Sequence, residues 1–268
     1  MKYKKILLTG GSGKLGQAIA SSGYFGLLLA PSRKELDITK FSTVERFFNK
    51  HSIDAVVHCA ALARMAECEE DPVKAISANI IGTSNLVMAV LSKEKKSEEK
   101  NKGKELQKKI RFIHISTDGV YAGTKGNYSE KDAAIPYNKY GWTKLGAECP
   151  VNLLSDFCII RTSFFDPKNI KFEESAVDAY SSKMPINELV KAIHIMLESG
   201  FIGTINIGAD KRSDYERYKG FKPSLKPCRL KDILNKVPFN MAYDASLNTK
   251  LWIDFQSNRK QAKNNNKI

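Results

Sequence analysis

The 268-residue chain carries 43 lysines and arginines against 29 aspartates and glutamates, a formal net charge of +14, and 42% of its residues are hydrophobic. That length and composition allow one large domain, or a domain with a smaller lobe, and they are ordinary for a globular protein. No apolar run reaches the length needed to cross a bilayer, and the five scattered cysteines form no C-x-x-C pair, which suggests neither a zinc site nor a disulfide framework and fits a reducing cytoplasm.

Lys4 to Thr9 (KKILLT) reads as a buried strand. The basic start before it is followed by too short an apolar stretch for a signal peptide. The strand stops at Gly10-Gly-Ser-Gly13-Lys-Leu-Gly16, and a helical pattern begins at Gln17. A G-x-x-G-x-x-G run between a strand and a helix is the setting that gives this motif its meaning as a dinucleotide-binding turn. Gly10 allows the tight turn, Gly13 lets the backbone approach a pyrophosphate, and Gly16 lets the helix pack on the sheet. The helix N-terminus then faces the anion.

A second strand, Gly26 to Ala30, ends in Pro31-Ser32-Arg33-Lys34. An acidic residue commonly meets the adenosine ribose at this place. Cations here suit a 2′-phosphate instead, so NADPH is favoured, with NADH as the alternative. Asp37 and Ile38 are placed to line the adenine.

Thr39 to Lys50 reads as a helix capped by Thr39 or Ser42, with Val44, Phe47 and Phe48 inward. Ile53 to His58 is the next buried strand and runs into the small residues Cys59, Ala60, Ala61 and Ala63, where a nucleotide can lie close to backbone. A helix follows from Val73 through Val90. Within it Asn79 either faces solvent or is a buried hydrogen-bonder near the site. Residues 92–109 form a lysine- and glutamate-rich insert, and much of the remaining basic charge lies in the tail beyond Arg259. Neither interleaves aromatics, which argues against nucleic acid and for solvated, mobile segments.

Ile110 to Ser116 is a further strand, followed by Ser116-Thr117-Asp118 and then Tyr140-Gly-Trp-Thr-Lys144. A tyrosine and a lysine four residues apart share one helix face. An ammonium there makes the phenol a better acid, and the Ser116 and Thr117 hydroxyls are placed to meet the same carbonyl. Phe157 to Arg161 is another strand, Ile186 to Leu197 an amphipathic helix, and Gly203 to Gly208 a late strand. This alternation predicts an α/β, Rossmann-like, doubly wound parallel sheet. A dinucleotide-binding domain is expected over 1–165. A small, reduced C-terminal substrate lobe is expected over 166–250, with elements returning to the first domain, and then a flexible basic tail over 251–268.

With these motifs in this order, the chain resembles an extended short-chain dehydrogenase/reductase, and most of all the dTDP-4-dehydrorhamnose reductase group. The likeness is carried by Thr9 to Gly16, Glu35 to Thr39, Asp54 to Ala61, Ile115 to Asp118, Gly123 to Gly126, Tyr140 to Leu145 and Arg161 to Ser163. It is dense to about residue 165 and thins beyond. It implies that the glycine loop, with Lys14 and Leu15, holds the pyrophosphate. Ser32, Arg33, Asp37 and Ile38 would meet the adenosine, and Ala60, Ala61 and Leu62 would run beside the cofactor. Tyr140 would donate a proton as hydride moves to the C4 ketone of a nucleotide-linked 6-deoxy sugar. Lys144 would bind the nicotinamide ribose and lower the Tyr140 pKa. Thr117, with Ser116 as second choice, would bond the carbonyl oxygen, and Asp118 and Phe164 would contact the sugar. No metal is implied, and a homodimer is left open.

The sequence departs from this pattern in three places. Gly119 stands where the group commonly carries an aromatic that contacts the substrate, and Phe164 where it often has tryptophan. The segment after Phe165 is shorter than usual. Pro150 is expected to end or kink the helix carrying Tyr140 and Lys144 early. The competing reading is a non-catalytic, NADP-binding regulatory subunit of the same fold, like the β subunit of methionine adenosyltransferase.

Overall fold

The computed structural model describes residues 2–100 and 109–265. In chain order the elements begin β1 (Lys5–Thr9), α1 (Lys14–Ser21), β2 (Leu27–Leu29), α2 (Phe41–Lys50), β3 (Ala55–His58), α3 (Met65–Glu70) and α4 (Pro72–Ala75). A π-helical stretch, Ile76–Ile81, leads into α5 (Gly82–Lys100), then β4 (Arg111–Ile115), α6 (Lys139–Val151) and β5 (Phe157–Arg161). The C-terminal part holds β6 (Phe164–Phe165), β7 (Glu174–Ala176), β8 (Tyr180–Ser181), β9 (Met184–Pro185), α7 (Ile186–Glu198) and β10 (Gly203–Asn206). It closes with β11 (Arg212–Ser213), α8 (Asp214–Lys219), β12 (Lys226–Cys228), α9 (Leu230–Leu234) and α10 (Lys250–Asn265).

Six strands form one sheet in the order β10-β5-β4-β3-β1-β2, and every pair in it is parallel. The apolar runs read as buried strands are these strands. They are apolar on both faces because both faces are covered. Ile6 and Leu8 of β1 pack with α1, α7 and Trp252 on one side, while Leu7 packs with α2, α5 and α6 on the other. The chain leaves β1 toward β2 on one side and returns to β3 on the other. The carboxyl ends of β1 and β3 therefore flank a switch point, the usual place for a ligand crevice in such sheets.

Beyond β5 the chain forms three two-stranded ladders, β6 with β9, β7 with β12 and β8 with β11, while β10 returns to the edge of the main sheet. Isolated bridges from Tyr128 to Leu247 and from Tyr180 to Asp244 tie this region together.

Four sequence expectations are corrected. The helix expected to stop at Val90 continues into the charged insert as far as Lys100; residues 101–108 of that insert lie outside the described residues. The tail expected to be flexible forms α10, whose Trp252 is buried in the core. The helix carrying Tyr140 and Lys144 runs through Pro150 to Val151, so the proline falls in its last turn and both residues stand on intact helix. The start of α2 is capped by neither Thr39 nor Ser42; Lys40 occupies the cap, without a side-chain bond.

One helical stretch, Pro72–Ser97, is long and apolar enough to cross a bilayer by length and composition, contrary to the reading of apolar runs. Half of that window is buried inside the fold. Leu86, Val87 and Val90 pack into the core with α2 and β4, which accounts for much of its apolar content.

Candidate active site

The crevice at the switch point is built mostly from backbone. Gly10 has φ of +74°, a conformation that L side chains rarely adopt, and a Cβ on it would lie 2.6 Å from the Ala60 nitrogen. The turns after β1 and β3 thus abut. A Cβ on Gly16 would overlap the Gly10 carbonyl oxygen, so α1 reaches this close to the turn only with glycine there. Gly13 caps α1 with no side-chain bond, which leaves first-turn N–H groups free for an anion.

A cavity of about 370 Å³ opens here. Of the residues assigned to the cofactor, Gly10, Gly13 and Arg33 line it, as do Asp37 and Ile38 and the run Ala60, Ala61 and Leu62. Lys14, Leu15, Gly16 and Ser32 do not. Leu15 is buried in the core, and Ser32 spends its hydroxyl and its N–H on the Glu35 carboxylate, both at 2.8 Å. Tyr140 and Lys144 also lie outside the lining of this cavity. Burial works against the Asp37 charge, but hydrogen bonds from the Thr39 hydroxyl and N–H, together with Arg33, outweigh it and hold the carboxyl below its usual value. Lys74, Ser77 and Ala78 complete the wall. No local motif marks these three. They become lining residues only because the helix overhangs the crevice.

Asn79 ties the two halves of the site together. It is buried within the π-helical stretch, a distortion often found at functional sites. Its side-chain oxygen accepts from Leu62 N at 2.7 Å, and its Nδ2 donates to Leu62 O at 3.1 Å and Thr143 Oγ1 at 2.8 Å. The cofactor-side loop is thereby fixed to the helix bearing Tyr140 and Lys144, and the buried alternative for Asn79 holds.

Asn138 caps α6 by accepting from Gly141 N at 2.8 Å. A Cβ on Gly141 would fall on the Gly119 carbonyl oxygen, so α6 starts hard against the turn after β4. This brings Tyr140, half-buried, beside Thr117. Burial raises the Tyr140 phenol above its usual value, the Thr117 hydroxyl opposes this, and Asp118 and Cys68 add to the rise.

The groups that shift this phenol do not include Lys144. Lys144 donates to the Ile115 carbonyl at 2.7 Å, and burial pulls its ammonium down to about 8 against the pull of Glu148 and Cys59. Buried His58, lowered to about 3 by desolvation and then by Lys144, is held neutral between Thr9 and Thr83.

Ser116 turns away from Thr117. Its hydroxyl donates to Glu148 at 2.5 Å, and Glu148 also accepts from Arg161 at 2.7 Å. Ser116 therefore belongs to a buried support beneath the site. Asp118 accepts from Thr117 at 3.2 Å and from Ser163 at 2.5 Å, and its carboxyl is raised by burial. Phe164 pairs with Met184 between β6 and β9 and packs against the core cluster. Lys183 and Asp214, ion-paired at 2.8 Å, stand near Asp118, and no sequence motif marks either.

The arrangement offers an anion-binding helix start, a crevice for a dinucleotide, a protonated phenol beside a threonine hydroxyl, and a lysine one turn further along α6. Such a set can polarise and protonate a carbonyl oxygen.

Residues 4–172 match the family described as RmlD substrate binding domain. The chain is similar to a dTDP-4-keto-6-deoxy-D-glucose reductase of Streptomyces niveus, at 31% identity over 163 residues, covering 59% of this chain and 51% of the relative. It is also similar to methionine adenosyltransferase 2 subunit beta of Pongo abelii, at 28% identity over 192 residues, covering 68% and 53%. The matched part thus spans about half the length of both relatives. The fold matches that of dTDP-4-dehydrorhamnose reductase from Bacillus anthracis, solved in complex with NADP, with a TM-score of 0.79 and 21% identity, covering 94% of this chain and 92% of that one.

Proposed function

Because the chain belongs to the RmlD substrate binding domain family, we propose that it is an NADPH-dependent reductase of the 4-keto group of a nucleotide-linked 6-deoxy sugar, of the dTDP-4-dehydrorhamnose type. The observation that carries this reading is the pairing of two halves through Asn79: a glycine-built dinucleotide crevice and, across one helix, Thr117 with Tyr140.

The residues present fit the cofactor. Gly10 and Gly16 remove the side chains that a bound pyrophosphate and a close helix cannot accommodate, and Arg33 stands at the cavity wall with its side chain 75% exposed, where a 2′-phosphate finds a cation. When bound, NADPH supplies the hydride. The Thr117 hydroxyl donates to Asp118 in this structure and turns that proton to the carbonyl oxygen of the sugar when the ketone binds. Tyr140, kept protonated by its raised pKa, gives that oxygen its proton as charge develops. Lys144 holds a positive charge on α6 below about pH 8, and its place one turn beyond Tyr140 supports assigning it to the cofactor ribose. Asp118, fixed by Ser163, is assigned to the sugar. We further place the protein in the cytoplasm, supported by its five free cysteines, and assign it a homodimeric state, supported by exposed Trp142 on α6 and exposed Met88 and Leu91 on the neighbouring α5; light scattering checks the latter.

The test is to add dTDP-4-dehydrorhamnose and a small panel of other 4-keto nucleotide sugars to the protein with NADPH and to follow NADPH absorbance. Ketone-dependent oxidation is expected. A second reading, a non-catalytic NADP-binding subunit, is favoured by the 192-residue likeness to methionine adenosyltransferase 2 subunit beta. It predicts NADPH binding with no oxidation by any of the sugars.

A further inference from the structure

Tyr137 has no role in the scheme above. It precedes the Asn138 cap, so it lies outside the helical turn that carries Tyr140. Its ring is wedged against Gly123, where φ is +71° and a Cβ would meet the ring at 2.9 Å. Its carbonyl accepts from Asn240 Nδ2 at 3.5 Å. The ring is therefore held in place, yet its hydroxyl is unspent. Among the described residues the phenol oxygen has no hydrogen-bond partner, and it is not one of the oxygens sealed from solvent.

A Cβ on Gly119 would stand 3.7 Å from that oxygen and 3.4 Å from Thr117 Oγ1. Both hydroxyls thus border the point that a Gly119 side chain would occupy, and glycine leaves that point open. The other titratable groups facing Tyr137 are Asp118, Lys183, Tyr140 and Asp214. The charged ones are already matched. Asp118 accepts from Thr117 and Ser163, while Asp214 accepts from Lys183 at 2.8 Å and Ser181 at 3.0 Å. Burial first, and then Asp118, holds the Tyr137 phenol above its usual value, so it is a donor at neutral pH. In a wall of satisfied charges this hydroxyl is left for a ligand.

We propose that Tyr137 is a substrate-binding residue, whose phenol grips the sugar hydroxyl next to the carbonyl that Thr117 and Tyr140 address. The proposal rests on the reductase reading for the identity of the ligand. The geometry suits it: a vicinal hydroxyl lies beside the carbonyl oxygen, as the Tyr137 and Thr117 hydroxyls both border the point above Gly119. The phenol can both donate to that hydroxyl and accept from it.

Tyr137→Phe removes only the unpartnered oxygen, so Tm and NADPH affinity are expected to stay at wild-type values. The KM for dTDP-4-dehydrorhamnose is expected to rise about fivefold to tenfold, with a smaller change in kcat. The 3-deoxy analogue of the same ketone, which lacks the vicinal hydroxyl, is expected to be used equally by variant and wild type. A wild-type KM, an equal loss with both sugars, or a parallel fall in NADPH affinity overturns the proposal.

Calorimetric binding of the two sugars to the NADPH-bound protein keeps the two ideas apart. If wild type binds the ketone without oxidising NADPH, the reductase reading fails, and the binding ratio between wild type and variant still decides on Tyr137. If wild type binds neither sugar, both fail.

Discussion

The two halves of the site are made from different material. The cofactor crevice is a backbone structure: a glycine at φ of +74°, a helix start without a side-chain cap, and small residues after β3, all set by two short stretches of chain. The reaction and sugar side is a side-chain structure. Thr117, Asp118, Ser163, Lys183 and Asp214 are held by hydrogen bonds and an ion pair, and Tyr137 and Tyr140 stand beside them. A backbone site tolerates exchange of most side chains but not of its glycines. A side-chain site depends on individual hydroxyls and charges.

The largest expected effect breaks the second half alone. Tyr140→Phe should lower kcat by about 10²- to 10⁴-fold while NADPH binding, read by fluorescence titration, stays intact. Retained activity would remove Tyr140 from its assigned role. The converse is Gly10→Ala, which forces a left-handed conformation costing about 1–2 kcal/mol and drives a Cβ toward the Ala60 nitrogen. It should abolish measurable NADPH binding and lower Tm.

A more selective cut is Arg33→Ala. NADPH affinity should fall by about ten- to a hundredfold, the worth of a charge-assisted bond, with NADH affinity unchanged; equal losses for both cofactors would mean that Arg33 does not meet the 2′-phosphate. The pH profile gives a milder readout of the junction between the halves. Lys144 is charged below about 8 and neutral above it, so kcat/KM should fall as pH rises through that value. Lys144→Arg, which stays charged, should move this limb to higher pH.

The smallest effect separates neighbours. Ser116→Ala removes the bond to Glu148, which keeps its Arg161 partner. It should cost about 1 kcal/mol of stability, seen as a modest drop in Tm, and leave kcat nearly unchanged, whereas Thr117→Ala should lower kcat.

The contrast also explains what could be read early. The strands, the glycine turn and the Arg33 wall were visible because each is a local pattern with a local physical cause. Sequence adjacency offers Ser116 to the same carbonyl as Thr117, whereas in the structure its hydroxyl is bound to Glu148. Adjacency in sequence says nothing about which of two hydroxyls faces the crevice. Lys74, Ser77 and Lys183 gave no signal, since a lysine or serine on a helix or loop looks the same whether it faces solvent or a ligand.

By itself, then, the amino-acid sequence determined the parallel sheet, the order of its functional turns and the dinucleotide crevice, because hydrophobic runs and glycines act through the chain's own backbone. Only the tertiary structure decided the rest: that α5 runs on into the charged stretch, that α10 closes over the core with Trp252, and that Thr117 and Tyr137 both border the point above Gly119. Those outcomes depend on packing between residues far apart in the chain, where each side chain's direction is set by neighbours that local sequence does not name.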